Sequence, residues 1–249
     1  MSSYGWDNFW KDQRQSFLAA MKIATGFFAV QIQKRYHLNA THAILDYGCG
    51  PGFVADTLAV QNISFTGVDI NEFYIEKCRE NHPGSTFIHI TTDIAVNKKI
   101  LDELLVDEKF DYIIILSVAQ YLKSTTELQA LIGMLRTYMA ENGRIILADI
   151  IDENTSSVKD ALSILFHYIK IGKVPTFVRF MLYLMFSDYK KVSGKIPLLM
   201  IPEQSIREIS ANNSLQYEKV QGLTIQKTRC SYVLSNLPNG AVCDATGVQ

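Results

Sequence analysis

Three alternating glycines follow a short apolar run and an acidic residue near the start of the chain. The segment reads Ile44-Leu45-Asp46-Tyr47-Gly48-Cys49-Gly50-Pro51-Gly52. Glycine tolerates a positive φ and has no Cβ, so the backbone amides of such a turn can approach a ligand closely. The Asp46 carboxylate can accept a hydrogen bond from an ammonium group. The segment therefore indicates a ligand site at the mouth of a strand, with an ordinary strand-to-helix turn as the alternative.

Three further predicted strand ends carry residues that suit recognition of a nucleoside. The second strand ends at Asp69, whose carboxylate can accept hydrogen bonds from two ribose hydroxyls, and Ile70 follows it. The third is followed by Asp93, suited to an adenine amino group, and by Ile94, which offers a backbone amide and an apolar wall. The fourth runs into Leu116-Ser117 and, shortly afterwards, Tyr121. Because parallel strands place their carboxyl ends at one sheet edge, these residues are expected to lie together.

In order and spacing, residues 40–150 resemble class I S-adenosylmethionine-dependent methyltransferases. The resemblance implies that S-adenosylmethionine is the methyl donor and S-adenosylhomocysteine (SAH) the product. It places Asp46 near the methionine end, Asp69 at the ribose, and Asp93 at the adenine. Tyr121 stands where many small-molecule members carry histidine, which makes Tyr121 a candidate catalytic residue. The other cofactor-binding residues that the resemblance implies are Gly48, Cys49, Gly50, Gly52, Ile70, Ile94, Leu116 and Ser117.

Two other functions use a similar glycine turn. A nicotinamide-dependent dehydrogenase also has a glycine-rich first turn and an acid that ends the second strand. Its fingerprint is G-x-G-x-x-G, whereas this chain has G-C-G-P-G, and no Tyr-x-x-x-Lys pair is placed to assist hydride transfer. The second alternative is a protein that binds S-adenosylmethionine without catalysis and uses another surface to bind a partner. Turnover of the cofactor would distinguish it from an enzyme.

The expected acceptor is a small, largely apolar secondary metabolite or lipid-like molecule, methylated on oxygen or carbon. The chain lacks the Asp/Asn-Pro-Pro-aromatic segment that commonly grips an amine, and its net charge of −1 argues against nucleic acid. Aromatic residues are the candidate substrate contacts: Trp6 and Trp10 near the start of the chain, and Phe166 and Phe180 in a later apolar segment. His167 is a candidate proton acceptor, with a helix histidine of purely structural role as the alternative.

Apolar runs bounded by turn residues alternate with helical stretches from residue 43 onward, which is typical of βαβ units. The predicted strands are residues 43–47, 64–69, 86–91, 110–116, 143–150, 215–220 and 230–234. The predicted helices are residues 53–60, 72–81, 97–106, 125–140 and 203–212, after one or two helices within residues 8–36. We therefore expect a Rossmann-like three-layer α/β sandwich with a seven-stranded, mainly parallel sheet whose last strand is antiparallel.

A single domain is expected, with a helical insertion after the fifth strand. Its parts are a helical lid (1–40), a cofactor-binding core (41–150), a helical cap (151–202), a C-terminal part of the core (203–235) and a tail (236–249). The cap is apolar around most of its helical circumference and holds seven basic but only two acidic residues between positions 157 and 201. It is expected to roof the acceptor site; a peripheral membrane contact and a dimer face are the alternatives.

The sequence also predicts a cytoplasmic protein without a transmembrane segment or a metal site. Its four cysteines lie far apart without a C-x-x-C pair, as in proteins with reduced thiols. No apolar run reaches the roughly 18 residues that a membrane span requires, and the first residues do not read as a signal peptide.

Overall fold

The strands and helices alternate along most of the chain. A computed structural model describes residues 15–58, 62–186 and 194–237. The strands are β1 (Ala43–Tyr47), β2 (Ser64–Asp69), β3 (Thr86–His89), β4 (Phe110–Leu116), β5 (Met139–Ile150), β6 (Leu215–Val220) and β7 (Cys230–Asn236). The helices are α1 (Gln15–Tyr36), α2 (Phe53–Leu58), α3 (Glu72–Asn81), α4 (Ile94–Leu104), α5 (Thr125–Arg136), α6 (Ser157–Lys170), α7 (Val174–Phe186) and α8 (Glu203–Asn212), with a 3-10 turn at Ala119–Tyr121.

The strands form one sheet in the order β3-β2-β1-β4-β5-β7-β6. β1 pairs in parallel with β2 and with β4, and β5 continues in parallel beside β4. β7 is antiparallel to both of its neighbours, β5 and β6. The prediction of a Rossmann-like, mainly parallel sheet with an antiparallel last strand is confirmed.

Apolar side chains on both faces of the sheet form the core. Neighbouring residues of a strand point to opposite faces, so Ile44 packs with α1, α2 and α3 while Leu45 packs with α4, α5 and α8. Both faces of β4 are buried, which explains its continuous run Tyr112-Ile113-Ile114-Ile115. These two layers of helices hold the carboxyl ends of β1, β2, β4 and β5 at one edge.

Several element boundaries differ from the sequence prediction. α4 begins at Ile94 rather than at residue 97 because Asp93 Oδ1 accepts hydrogen bonds from the backbone N–H groups of Ala95 and Val96. β5 begins at Met139 rather than at residue 143, because an irregular pairing with β4 precedes the regular one. α5 therefore ends earlier than predicted.

The described residues of the cap form two helices that are separated by a short turn. Gly172 has a φ of +69°, a conformation that favours glycine, and it separates α6 from α7. α6 is also fastened to the β6–β7 loop, since Asp160 Oδ1 accepts hydrogen bonds from the backbone N–H and the hydroxyl of Thr228. None of the helices in the described parts of the chain is long and apolar enough to cross a membrane.

Candidate active site

Two cavities that share part of their walls lie at the carboxyl ends of β1, β2, β4 and β5. The smaller has a volume of about 280 Å³ and the larger about 410 Å³. The shared wall residues are Met21, Gly48, Gly50, Leu116, Ser117 and Tyr121. This edge is where open α/β sheets bind their ligands.

The glycine turn after β1 forms part of the walls of both cavities through Gly48 and Gly50. Gly48 has a φ of +85°, and a Cβ at this position would collide with the Val118 side chain. Gly50 donates its backbone N–H to Asp69 Oδ2 at 2.8 Å, and Cys49 lines the larger cavity. Gly52, with a φ of +80°, lines neither cavity. A Cβ at this position would lie 2.8 Å from Cys78 Sγ. Its position indicates a role in packing the turn.

Asp46 places a carboxylate in the wall of the larger cavity. The residue is only 2% exposed, and its Oδ2 atom has no hydrogen-bond partner within the described residues. Burial, and secondarily the negative charge of Asp69, raises the pKa of Asp46 to about 8. Burial of a negative charge without a partner costs free energy, and a cationic ligand group beside Oδ2 would offset that cost.

The walls of the smaller cavity suit a nucleoside. Asp69 Oδ1 and Oδ2 each accept one backbone N–H, from Asn71 and Gly50, and each oxygen keeps a further lone pair. Burial raises the pKa of Asp69, and these hydrogen bonds lower it in part. Ile70 and Ile94 line the same cavity. So does Tyr74, which the sequence analysis missed and whose buried Oη lacks a hydrogen-bond partner in the part of the chain described.

Asp93 lies in a different place from the one expected. It is exposed, caps the N-terminus of α4 and lines neither of the two cavities. A short carboxylate before a helix is a typical N-cap, and this local role accounts for its type and position. The predicted contact of Asp93 with adenine stays a prediction that its position does not support.

His167 and Phe166 point away from the larger cavity. The His167 ring packs edge to face on Phe27, with 5.2 Å between the ring centroids, in a groove between α1 and the start of α7. Phe166 is 67% exposed, whereas the next-but-one residue, Tyr168, lines the cavity. Consecutive residues of a helix differ by about 100° in direction, so neighbouring side chains of α6 lie on different surfaces of the helix. The placement predicted for His167 and Phe166 is corrected accordingly.

Aromatic residues from α1 and α7 close the larger cavity. Phe180 lines it, as predicted for a substrate contact, and packs against Phe17 with 6.0 Å between ring centroids. Tyr121 belongs to the same small cluster. Trp6 and Trp10, the other predicted substrate contacts, lie outside the described residues.

The sequence analysis missed several polar residues of this wall, among them Gln120, Asp149 and Arg229. Asp149 follows Leu147-Ala148 at the end of β5, so an acid within an apolar run was the available signal. Arg229 is brought to it from the loop before β7, and no local pattern indicates this.

Comparisons with known proteins identify similar sequences over most of the chain. A family model described as a methyltransferase domain matches residues 38–181. The ubiquinone biosynthesis O-methyltransferase of Rickettsia felis is 24% identical over 237 residues, which cover 94% of this chain and 84% of that protein.

Two solved structures share the fold over most of the chain. Magnesium protoporphyrin IX methyltransferase from Synechocystis PCC 6803 with bound SAH superimposes with a TM-score of 0.53 at 19% identity, covering 92% of this chain and 90% of that one. A TehB-like SAM-dependent methyltransferase from Corynebacterium glutamicum gives a TM-score of 0.53 at 13% identity and covers 84% and 88% of the two chains.

Proposed function

Because the chain belongs to the methyltransferase-domain family, we propose that it transfers the methyl group of S-adenosylmethionine to an oxygen of a small, largely apolar acceptor. The observation that carries this proposal is the buried Asp46 carboxylate in the wall of a cavity whose other walls are mainly apolar. Similarity to a ubiquinone biosynthesis O-methyltransferase favours oxygen over carbon as the accepting atom.

The residues of the two cavities fit the parts of this cofactor. Asp46 Oδ2 would accept a hydrogen bond from the ammonium group, and Asp69 would accept hydrogen bonds from the ribose hydroxyls. Ile70 and Ile94 would pack on the adenine, and the backbone at Leu116-Ser117 would meet the methionyl amine. The cofactor supplies, when bound, an electrophilic methyl group on a positively charged sulfur.

The chain itself contributes position and exclusion of water. An acceptor atom must lie in line with the methyl group, and such positioning alone can account for much of a rate enhancement. Phe17, Tyr168 and Phe180 wall the larger cavity with apolar surface that keeps water from the reacting atoms. Tyr121, in the wall that both cavities share, is placed to contact an acceptor close to the methyl group.

Binding and turnover together test this proposal. We expect SAH to bind with a dissociation constant in the micromolar range, as judged by calorimetry, and NAD not to compete. Methyl-labelled S-adenosylmethionine and a small-molecule extract should yield labelled product and SAH in equal amounts. Tighter binding of NAD than of SAH would contradict the proposed cofactor. SAH binding without turnover on any extract would favour the non-catalytic alternative.

The same transfer reaction is expected to continue in EDTA. Among the described residues, no group of three His, Cys, Asp or Glu side chains is arranged to hold a metal ion. Loss of turnover in EDTA that magnesium alone restores would contradict this expectation and would indicate a metal-assisted reaction.

Replacing Asp69 by alanine is expected to weaken cofactor binding by about 1–3 kcal/mol, because two ribose hydroxyls would lose a charged acceptor. The backbone N–H groups of Gly50 and Asn71 would lose the same acceptor, so the glycine turn would also loosen. Asp93→Ala is the matched control, since Asp93 follows the neighbouring strand but lines neither cavity. Calorimetric titration with SAH should show the loss for Asp69→Ala only. An equal loss of SAH affinity in Asp93→Ala would instead support the predicted contact of Asp93 with adenine.

The cap presents a second apolar surface, which faces away from the cavity. On α6 the exposed residues Val158, Leu162 and Phe166 recur at intervals of four. The exposed apolar residues of α7 are Val174, Val178, Leu182, Met185 and Phe186. Exposed basic residues lie in the same segment: Lys159, Lys170, Lys173 and Arg179. Apolar surface with basic residues beside it suits a membrane that contains anionic lipid, and we propose this surface as a peripheral membrane contact.

Vesicles that contain phosphatidylglycerol should therefore carry the protein upward in a flotation gradient at low salt, and less of it as the ionic strength rises. Phe166→Ser should lower the floated fraction several-fold, since burial of such a side chain contributes about 1.5–3 kcal/mol. Leu104→Ser, at an exposed leucine of α4, is the control. Absence of flotation, together with a dimer in sedimentation, would instead assign the surface to a second copy of the chain.

A further inference from the structure

A polar cluster at the carboxyl ends of β4 and β5 lies in the wall of the larger cavity. Ser117 and Asp149 both have a positive φ, +57° and +64°, which is uncommon for residues other than glycine. The Ser117 hydroxyl donates to Asp149 Oδ2 at 2.6 Å. Strained residues of this kind are retained at functional sites more often than elsewhere. The two strand ends are thus held in a conformation that turns the Asp149 carboxylate into the cavity wall.

Arg229 is fixed beside this carboxylate by a second acid. Its Nε donates to Asp160 Oδ2 at 3.0 Å, and Asp160 is in turn held by Thr228. Arg229 Nη1 lies 3.9 Å from Asp149 Oδ1, which is too long for a direct hydrogen bond. Both atoms are buried, and neither has a hydrogen-bond partner among the residues that the structure describes.

A single oxygen atom could bond to both of these atoms. Hydrogen bonds to oxygen measure about 2.8 Å, so one hydroxyl between the two groups can accept from Arg229 Nη1 and donate to Asp149 Oδ1. Gln120, 5% exposed, adds a buried Oε1 atom in the same wall that also lacks a partner in the described residues. Buried polar atoms are nearly always satisfied in proteins, so unsatisfied ones that line a cavity indicate a ligand.

We propose that Asp149 and Arg229 bind the hydroxyl group of the acceptor, a phenol or enol with an apolar body, and that Asp149 takes its proton during transfer. This inference rests on the proposed function. The acceptor O–H bond breaks and its proton passes to Asp149 Oδ1. The oxygen electron pair forms the bond to the methyl carbon, and the carbon–sulfur bond breaks with its electron pair left on sulfur. The products are a methyl ether and neutral SAH, and Asp149 later returns the proton to water.

The charges around Asp149 suit a proton acceptor. Burial raises the pKa of Asp149, whereas Arg229 and the hydrogen bonds of Ser117 and Gln120 lower it, and the charge of Asp160 raises it. The net effect is a pKa above the ordinary value for a carboxyl. A base with a raised pKa holds a proton more readily than an ordinary carboxylate does.

A purely structural role for the cluster makes different predictions. As a buried ion pair, Asp149 and Arg229 would only fasten the β6–β7 loop to β5, and their loss would lower stability without changing which ligands bind. Selectivity for a hydroxyl group and the pH dependence of transfer therefore distinguish the two roles.

Binding is measured with SAH-saturated protein and two probes, 4-hexylphenol and its methyl ether 4-hexylanisole. We expect the parent to prefer the phenol by at least about tenfold, since a hydrogen bond to a charged group is lost with the ether. Asp149→Asn, which tolerates a positive φ, should bind SAH normally and reduce the preference to less than about twofold. Arg229→Lys, which keeps the charge but not the planar fork, should reduce it in part. Glu153→Gln, an exposed acid nearby, should leave it unchanged.

The pH profile of transfer to 4-hexylphenol, at saturating S-adenosylmethionine, gives a second readout. The parent should lose activity at acid pH, and Asp149→Asn should be at least about 100-fold slower without this loss. A phenol preference that survives Asp149→Asn, or its absence in a parent that binds SAH, would overturn this inference alone. Failure of the parent to bind SAH would overturn the proposed function as well.

Discussion

Replacing Asp46 by asparagine is expected to weaken the binding of S-adenosylmethionine by about 100-fold or more and yet to stabilise the free protein at alkaline pH. The loss follows because a buried ammonium group would face a neutral amide in place of a carboxylate. The gain follows because Asp46 Oδ2 has no hydrogen-bond partner in the described parts of the chain, so the charged form costs stability.

The sign of the stability change depends on where Asp46 ionises. Its folded-state pKa of about 8 lies above the ordinary value of 3.8. Proton binding therefore stabilises the folded protein fully at pH below about 4, and this contribution is lost as the pH rises to 8. Asparagine does not ionise and escapes the loss. The melting temperature of the variant should match that of the parent at pH 4 and exceed it by roughly 5 °C or more at pH 9.

Thermal melts from pH 4 to 9, with and without S-adenosylmethionine, measure both effects. The cofactor should raise the melting temperature of the parent and leave that of Asp46→Asn almost unchanged. Asp107→Asn is the control, because Asp107 is exposed and its positive φ of +58° also suits asparagine. If Asp46→Asn binds the cofactor as well as the parent does, Asp46 does not meet the ammonium group.

The fold, and the position of much of the proposed cofactor site, could be predicted because they follow from local patterns. Each strand of the parallel sheet is a short apolar run between turn residues, and parallel order brings the carboxyl ends of such strands to one edge. Asp46 and Asp69 end two of these runs, so their position at the edge follows from the topology. Asp93 ends no strand, and an aspartate immediately before a helix is an equally clear local pattern for an N-cap, which is the role it has at α4.

The proposed acceptor site could not be predicted because it is assembled from distant segments. The Asp149–Arg229 pair spans 80 positions, and a bulge in the β5–β7 pairing near Asp149 leaves no trace in the apolar pattern of β5. His167 shows a different limit. α6 carries apolar residues both in the cavity wall and on its exposed side, so its apolar pattern does not determine which side packs inward, and Tyr168 rather than His167 lies in the cavity wall.

α6 and α7 each carry apolar residues on two surfaces. Ile164 and Tyr168 of α6, with Phe180 and Leu184 of α7, line the larger cavity. Leu182 belongs to the opposite, exposed surface. A helix with one apolar side would be enough to line the cavity, but it would have no apolar surface left to contact a membrane or a second subunit. We therefore propose two separate roles for the two surfaces, which substitutions on each surface can separate.

The acceptor preference should consequently rise with the length of an apolar chain. Along a series of 4-alkylphenols, kcat/KM should increase about fourfold per methylene until the cavity is filled, since each buried methylene contributes about 0.8 kcal/mol. Leu184→Ser, in the cavity wall, should lower this slope and raise KM for the longer members most. Leu182→Ser, two residues away on the exposed surface, is the matched control and should leave the slope unchanged. Steady-state assays that follow SAH release measure both. A flat dependence on chain length in the parent would show that α6 and α7 do not roof the acceptor, because a side chain that gains no contact with the longer members cannot discriminate among them.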